Sequence, residues 1–207
     1  MKRKNLVSNN NKNCTFIFGK QNRILRNVRE YWERYENFDV FVIIGPPGVG
    51  KTTFLQSIKL GDIQWFNQEI IEKIIIEANI GNVVEPLQNN IIFIEDVDYM
   101  ARNKYKRKAF VELLKRWRTN KYGERRLIIC TFNCITNISD FENFQVLHMQ
   151  PLKISQSVVK EKAKILGIKK LTTEELSHIA RLDTVLEVEE ELRRIRAYEI
   201  IFENDIQ

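Results

Sequence analysis

Cysteine is scarce and poorly spaced for chemistry. Cys14, Cys130 and Cys134 are an odd set with no C-x-x-C pair, which argues against a disulfide frame or a zinc site and fits a reducing, intracellular setting. Cys130 sits in an apolar run and reads as a small buried hydrophobe. The two histidines, His148 and His178, have no partners at metal or catalytic spacing and read as structural. No apolar run approaches the ~18 residues of a membrane-spanning helix, so no membrane role is expected. The basic start, Met1-Lys2-Arg3-Lys4, leads into Ser8-Asn9-Asn10-Asn11-Lys12 rather than an apolar stretch. That is no secretory signal; it reads as a polar tail. An intracellular protein is expected (cytoplasm, nucleus or a viral replication site), not a secreted one. No repeats occur, and the only biased segment is the short asparagine run. Acidic residues are in deficit, 27 against 33 Lys and Arg, giving a net charge of +6 and a pI near 9.2. A polyanionic partner follows, with nucleic acid the first candidate.

The chain has 207 residues, 43% of them hydrophobic. That supports one α/β domain plus a small appendage, not two large domains. Residues 22–37 have an amphipathic helical pattern, with Ile24, Leu25, Val28, Tyr31 and Trp32 on one face. Five short apolar runs follow: Val40–Ile44, Ile63–Phe66, Ile91–Ile94, Leu127–Cys130 and Val146–Met149. Helical patterns separate the first four, and a shorter connection from Thr131 to Gln145 precedes the last. Such alternation predicts a parallel sheet covered on both faces. From Ile154 onward the pattern is purely helical, with segments near 154–166, 172–182 and 185–204. Their apolar residues recur three and four apart: Val158, Ala163 and Ile165; Leu176 and Ile179; Leu192, Ile195 and Ile200. Thr172 or Thr173 reads as a helix cap, with acids in the first turn. The expected architecture is an α/β core with a five-stranded parallel sheet, followed by a small all-helical domain. The expected division is a basic tail (1–14), the α/β domain (15–151) and the helical domain (152–207).

The run Val40–Ile44 is followed by Gly45-Pro46-Pro47-Gly48-Val49-Gly50-Lys51-Thr52-Thr53. This is G-x-x-x-x-G-K-T, the Walker A phosphate loop. Gly45 and Gly50 permit a tight turn that aims backbone N–H groups at phosphates. A helix starting near Gly50 adds its positive end. Lys51 would reach the β- and γ-phosphates and the Thr52 hydroxyl would bind Mg²⁺, so ATP and Mg²⁺ are the expected ligands.

A second strand ends in acids, Ile91-Ile92-Phe93-Ile94-Glu95-Asp96-Val97-Asp98. By register, Glu95 takes the metal position and Asp96 the position that orients or deprotonates the attacking water. The usual order is Asp then Glu. The exchange alters each reach by one methylene, which puts fast hydrolysis in doubt while leaving binding intact. At the end of the fourth run, Asn133 fits a polar group projecting between the two motifs, toward the γ-phosphate or the attacking water.

Together these motifs resemble the AAA+ ATPases, and within them the clamp-loader group, replication factor C. Phe16-Ile17-Phe18-Gly19-Lys20-Gln21 before the Trp32 helix is similar to that group's N-terminal segment. Phe93 to Met100 resembles its Walker B region with the acids exchanged, and Leu127 to Asn133 its sensor 1, the large subunit more than the small ones. Gly167 to Leu192 resembles its helical lid. The resemblance implies ATP binding and hydrolysis coupled to conformational change, action on DNA during replication, and assembly as a homo- or hetero-oligomer with other AAA+ subunits or with a sliding clamp. Three features depart from the pattern. The acids are exchanged. No arginine lies between Asn133 and Leu152, so no arginine finger is offered there. No arginine follows Asp183, leaving Arg181, Arg193 or Arg194 as substitutes. The chain also ends where the group's oligomerising collar would begin.

Residues 103–118 predict a helix with an apolar stripe of Phe110, Leu113, Leu114 and Trp117. Lys104, Arg107, Lys108, Lys115 and Arg118 are expected on a different arc, able to follow phosphates without reading bases. In clamp loaders the corresponding helix lines the DNA channel, so non-sequence-specific DNA is the implied partner. Two alternatives stay open: a nucleotide-binding subunit of a hetero-oligomer that does not hydrolyse, and another P-loop class such as a small-molecule kinase.

Overall fold

A computed structural model describes residues 16–17, 22–79, 87, 89–135, 138–183 and 185–204. It divides into two compact units: the described residues from 22 to 151, and those from 152 to 204 together with Phe16 and Ile17.

The first unit is built on five strands: β1 (Val40–Ile44), β2 (Ile63–Asn67), β3 (Ile91–Glu95), β4 (Leu127–Phe132) and β5 (Gln145–His148). They form one sheet in the order β2-β3-β4-β1-β5. Every neighbouring pair is parallel. Every residue of β1 and β4 is buried, which explains why their sequences are near-continuous apolar runs rather than alternating ones, with Thr131 the one polar residue. Three of the expected strands extend further at their carboxyl ends, β2 to Asn67, β3 to Glu95 and β4 to Phe132. The first two extensions add a polar or acidic residue, which periodicity does not count as strand; in β4, Thr131 interrupts the apolar run before Phe132. Strand β5 begins and ends one residue before its apolar run.

Helices α1 (Arg23–Glu33), α2 (Lys51–Gln56), α3 (Gln68–Asn79), α4 (Asp98–Arg102) and α5 (Lys104–Trp117) accompany the strands. On α3 and α5, Ile71, Ile75, Phe110, Leu114 and Trp117 share one core cluster with Val42, Ile92, Ile94 and Ile128 of the sheet. Trp32 of α1 is fully buried with its ring 4.8 Å from Phe41 and 6.3 Å from Phe54. The stripe on α1 is narrower than its sequence suggests. Leu25 and Trp32 are buried, whereas Ile24 is 67% exposed and Tyr31 42%. The helix also stops at Glu33 rather than near residue 37, because Tyr35 and Asn37 take left-handed conformations, with φ of 57° and 54°. Its Asn22 cap ties the start of α1 to the end of the sheet: Nδ2 donates to the Gln150 carbonyl at 2.9 Å, and Oδ1 accepts from Gln150 N–H at 3.0 Å. The Gly19-bearing segment ahead of α1 lies almost wholly outside the described residues. Between β4 and β5 the described residues hold a short 3₁₀ turn, Ile138–Phe141.

The second unit packs α6 (Gln156–Ile165), α7 (Thr173–Ile179) and α8 (Val185–Asn204) around its own core. Val159, Ala163, Ile168, Leu176, Ile179, Val188 and Leu192 form it. Val159, not Val158, faces inward, and Ile165 and Ile200 are exposed. Thr172 is the cap of α7 in a full capping box. Its hydroxyl accepts from Glu175 N–H at 3.2 Å, and Glu175 Oε2 accepts from Thr172 N–H at 2.8 Å. Buried Lys162 pairs with Glu189.

Phe132 closes β4 immediately before Asn133. It is fully buried, with ring centroids 6.1 Å from Phe110 and 5.4 Å from Phe141. Phe132→Ala is expected to destabilise the first unit by about 3–5 kcal/mol, read from the shift of its chemical-denaturation midpoint.

Candidate active site

The register places the ends of three adjacent strands together. Ile44 of β1 lies opposite Phe132 of β4 and His148 of β5, and Ile94 of β3 opposite Cys130 of β4. The segments that follow β1, β3 and β4 therefore leave the sheet side by side, bringing Lys51, Asp96, Asp98 and Asn133 to one edge.

The loop after β1 is pinned at its root. Gly45 N–H donates to the Phe132 carbonyl at 3.1 Å, and Met149 N–H donates to the Ile44 carbonyl at 2.8 Å. A Cβ at position 45 would lie 2.7 Å from the Met149 carbonyl oxygen, so the backbone leaving β5 has room only for glycine. Gly48 and Gly50 take φ of 75° and 95°, and Gly50 is the N-cap residue immediately before α2. The loop's Pro46, Pro47 and Gly48 are exposed, Val49 and Thr53 half-buried.

Lys51 is buried. Its ammonium donates to the Gly45 carbonyl at 2.8 Å, the Pro46 carbonyl at 3.1 Å and Asn133 Oδ1 at 2.7 Å. Burial lowers its pKa, against the opposing pull of Asp96 and Asp98. Lys51 and Asn133, expected to share the site, are thus in direct contact. Sequence reasoning assigns no role to Asp98. Its Oδ2 accepts from Asn133 Nδ2 at 2.6 Å, and its Oδ1 accepts from the N–H groups of Asn133 at 2.7 Å and Cys134 at 3.1 Å. The only signal for it in the sequence is a third acid in Glu95-Asp96-Val97-Asp98; nothing in that spacing names its partner beyond β4.

Glu95 ends β3 and is half-buried. Burial raises its pKa above the usual carboxylate range; the Thr52 hydroxyl opposes the shift and the Asp96 charge adds to it. Its Oε1 is buried with no hydrogen-bond partner. An orphaned carboxylate oxygen beside a threonine hydroxyl fits Mg²⁺, which takes one or two protein oxygens and fills its shell with phosphate and water. Among the described residues no three acids, histidines or cysteines gather into a self-sufficient metal cage. Asp96 is exposed, takes a left-handed φ of 52°, and has its N–H bonded to Thr131 Oγ1 at 3.1 Å.

The basic arc expected on α5 needs correcting at two positions. Arg107 is buried, with its guanidinium bound to Asp140 and to the Ala101 carbonyl at 2.6 Å. Arg118 is half-buried against Asp39, at 2.6 Å. Both are long enough to reach acceptors beneath the helix, which a helical wheel does not show. Lys104, Lys108 and Lys115 remain exposed, with Lys115 bonded to Glu112 at 2.8 Å. Cys130 is buried, and its thiol pKa is raised by burial. In the second unit, Arg193 and Arg194 are exposed and pair with Glu189 and Glu191 of their own helix.

A model of the ATPase family associated with various cellular activities (AAA) matches residues 41–141. No curated protein matches the chain. Solved structures share the fold. Domain III of the Thermotoga maritima replication initiation protein DnaA aligns at a TM-score of 0.65 and 16% identity, covering 90% of this chain and 88% of that one. AMPPCP-bound DnaA from Aquifex aeolicus aligns at 0.65 and 17%, covering 87% and 62%. The Thermotoga maritima RuvB Holliday junction branch migration motor aligns at 0.61 and 15%, covering 89% and 64%. The chain thus spans less than two thirds of the length of several of these structures, 62% to 64% in the DnaA and RuvB pair just given.

Because Glu95 has a raised pKa in the fold, its stabilising contribution is complete below the usual carboxylate range and is lost as pH rises through the folded value. Without metal or nucleotide, Glu95→Gln is therefore expected to raise the melting temperature at neutral and alkaline pH and to leave it unchanged in strong acid. Melts across pH in the presence of a chelator check this.

Proposed function

We propose that this chain, built on an AAA+ α/β core, is an ATPase that acts on DNA. One observation carries the reading: Lys51, Asn133 and the acids after β3 converge at one sheet edge, with an unpartnered Glu95 oxygen beside Thr52. In this reading the loop from Gly45 to Thr53 wraps the phosphates through its N–H groups, and Lys51 turns from the Gly45 and Pro46 carbonyls to the β- and γ-phosphates. Thr52 and Glu95 hold Mg²⁺, which when bound neutralises charge on the phosphates. Asp96 orients or deprotonates the attacking water, and Asn133 stands beside it.

The DNA assignment is supported by the net charge of +6 and by the exposed lysines of α5. It is also supported by the company the fold keeps: one similar structure is described as a replication initiator bound to single-stranded DNA, another as a Holliday junction branch migration motor. The finer placement beside clamp loaders rests on the sequence wording of the phosphate loop, Phe93 to Met100 and Leu127 to Asn133. Assembly with other AAA+ subunits, or with a sliding clamp, belongs to the same proposal. Since Asn133 to Leu152 contains no arginine, this chain offers a neighbouring subunit no arginine finger from that segment. The second reading, a subunit that binds nucleotide without hydrolysing it, is favoured by the exchanged acids and by the missing arginines after Asn133 and Asp183.

Steady-state ATP turnover, with and without primed DNA, tests the proposal. The wild-type chain is expected to hydrolyse ATP faster with DNA, and Lys51→Ala to lose about a hundred-fold or more of that rate. Undiminished turnover by Lys51→Ala overturns the site assignment. ATP binding without turnover in any condition moves the reading to the non-hydrolysing subunit.

A further inference from the structure

Asn133 has one donor end and one acceptor end, and which end faces Lys51 decides what the residue does. A phosphate oxygen calls for the amide NH₂, whereas an ammonium or a water proton calls for the carbonyl oxygen. The neighbours at its two ends are of opposite kind. On one side Lys51 is an ammonium with donors only. On the other, Asp98 offers a carboxylate that already accepts two backbone N–H groups through Oδ1. Only one orientation satisfies both: Nδ2 donates to Asp98 Oδ2 at 2.6 Å, and Oδ1 accepts from Lys51 at 2.7 Å. The reverse would set the NH₂ against the ammonium and the oxygen against the carboxylate. Asp98 is itself held by position, standing at the start of α4 with β4 running in parallel register beside β3.

We propose that Asp98 is a positioning residue that fixes the side-chain orientation of Asn133, so that Asn133 presents an acceptor, and not a donor, to the centre of the site. This rests on the ATPase reading and deepens it. Asn133 then works on proton-bearing groups, the Lys51 ammonium and the attacking water, and does not clasp a phosphate oxygen. Asp98 does this without touching the reacting atoms.

The test is an exchange. In Asp98→Asn the constraint on orientation is lost while size is kept. ATP turnover is expected to fall about ten- to a hundred-fold, with binding of a fluorescent ATP analogue and the melting temperature changed little. In the double variant Asp98→Asn, Asn133→Asp the side-chain hydrogen bonds can re-form with the roles reversed. The amide introduced at position 98 donates to the carboxylate introduced at position 133, and that carboxylate accepts from Lys51. The double variant is expected to regain most of the rate. A merely structural Asp98 predicts no such rescue, so failure of a folded double variant to recover overturns the proposal, as does undiminished turnover in Asp98→Asn. A second readout is independent of hydrolysis. In ¹⁵N-asparagine-labelled protein, the Asn133 NH₂ resonance, identified by its loss in Asn133→Ala, is expected to shift in Asp98→Asn as its charge-assisted bond is lost. If the wild-type chain proves to hydrolyse no ATP, the ATPase reading fails separately and this resonance decides: a shift supports the assignment and an unmoved signal overturns it.

Discussion

A lysine ammonium taken out of water needs acceptors close at hand, and in this molecule the strand order determines which ones it finds. Lys51 has two from its own loop, the Gly45 and Pro46 carbonyls, and one from the end of β4, Asn133 Oδ1. Burial alone pushes the ammonium toward its neutral form; the charges of Asp96 and Asp98 pull the other way. β1 lies beside β4, and β4 beside β3. This order puts Lys51 within reach of Asn133 after β4, and Asn133 within reach of Asp98 after β3.

The same lysine ties the loop to itself, through the Gly45 and Pro46 carbonyls. Gly45 is fixed from both sides, by the Phe132 carbonyl on β4 and the Met149 backbone after β5. Lys51 then draws the Gly45 and Pro46 carbonyls inward. Phosphate oxygens, in the proposed function, replace carbonyl oxygens around one ammonium. Such an exchange of one acceptor for another has a small net free energy compared with creating a bond from nothing.

The backbone of this site is legible in the residues because periodicity and motif spacing are local. Val40–Ile44 followed by the glycine-rich loop and Lys51 specifies strand, turn and helix in one short stretch, and each stands in place. Asp98 is not legible, since its meaning comes from Asn133, 35 residues away and joined to it only by the β3–β4 register. Arg107 and Arg118 are misplaced by the sequence pattern for a related reason. A helical wheel locates Cα positions, but a long guanidinium can turn beneath the helix to Asp140 or Asp39. The apolar face of α1 is overestimated because apolar spacing cannot say which neighbour covers it; Ile24 and Tyr31 stay largely exposed. In the second unit, the capping box at Thr172 is readable from four residues, whereas the choice of Val159 over Val158 depends on packing against α7 and α8.

The exchanged acids follow from the backbone at the end of β3. Asp96 is the first residue beyond the strand, and it turns into the left-handed region with φ of 52°, its N–H held by Thr131 Oγ1. Aspartate, with its short polar side chain, is several-fold enriched in that region. Glu95 remains in the strand, where the backbone makes no such demand. Its extra methylene carries the carboxylate toward Thr52. The longer acid thus stands where reach is needed, and the shorter one where the chain must turn. A shorter Asp96 extends less far into the site, so the polar group already fixed there gains importance. In the proposed mechanism, orienting the water falls more heavily on Asn133 than it would with a glutamate at position 96. An asparagine can do that work only if its acceptor end is kept inward. The exchanged acid order and the hold of Asp98 on Asn133 therefore belong to one arrangement.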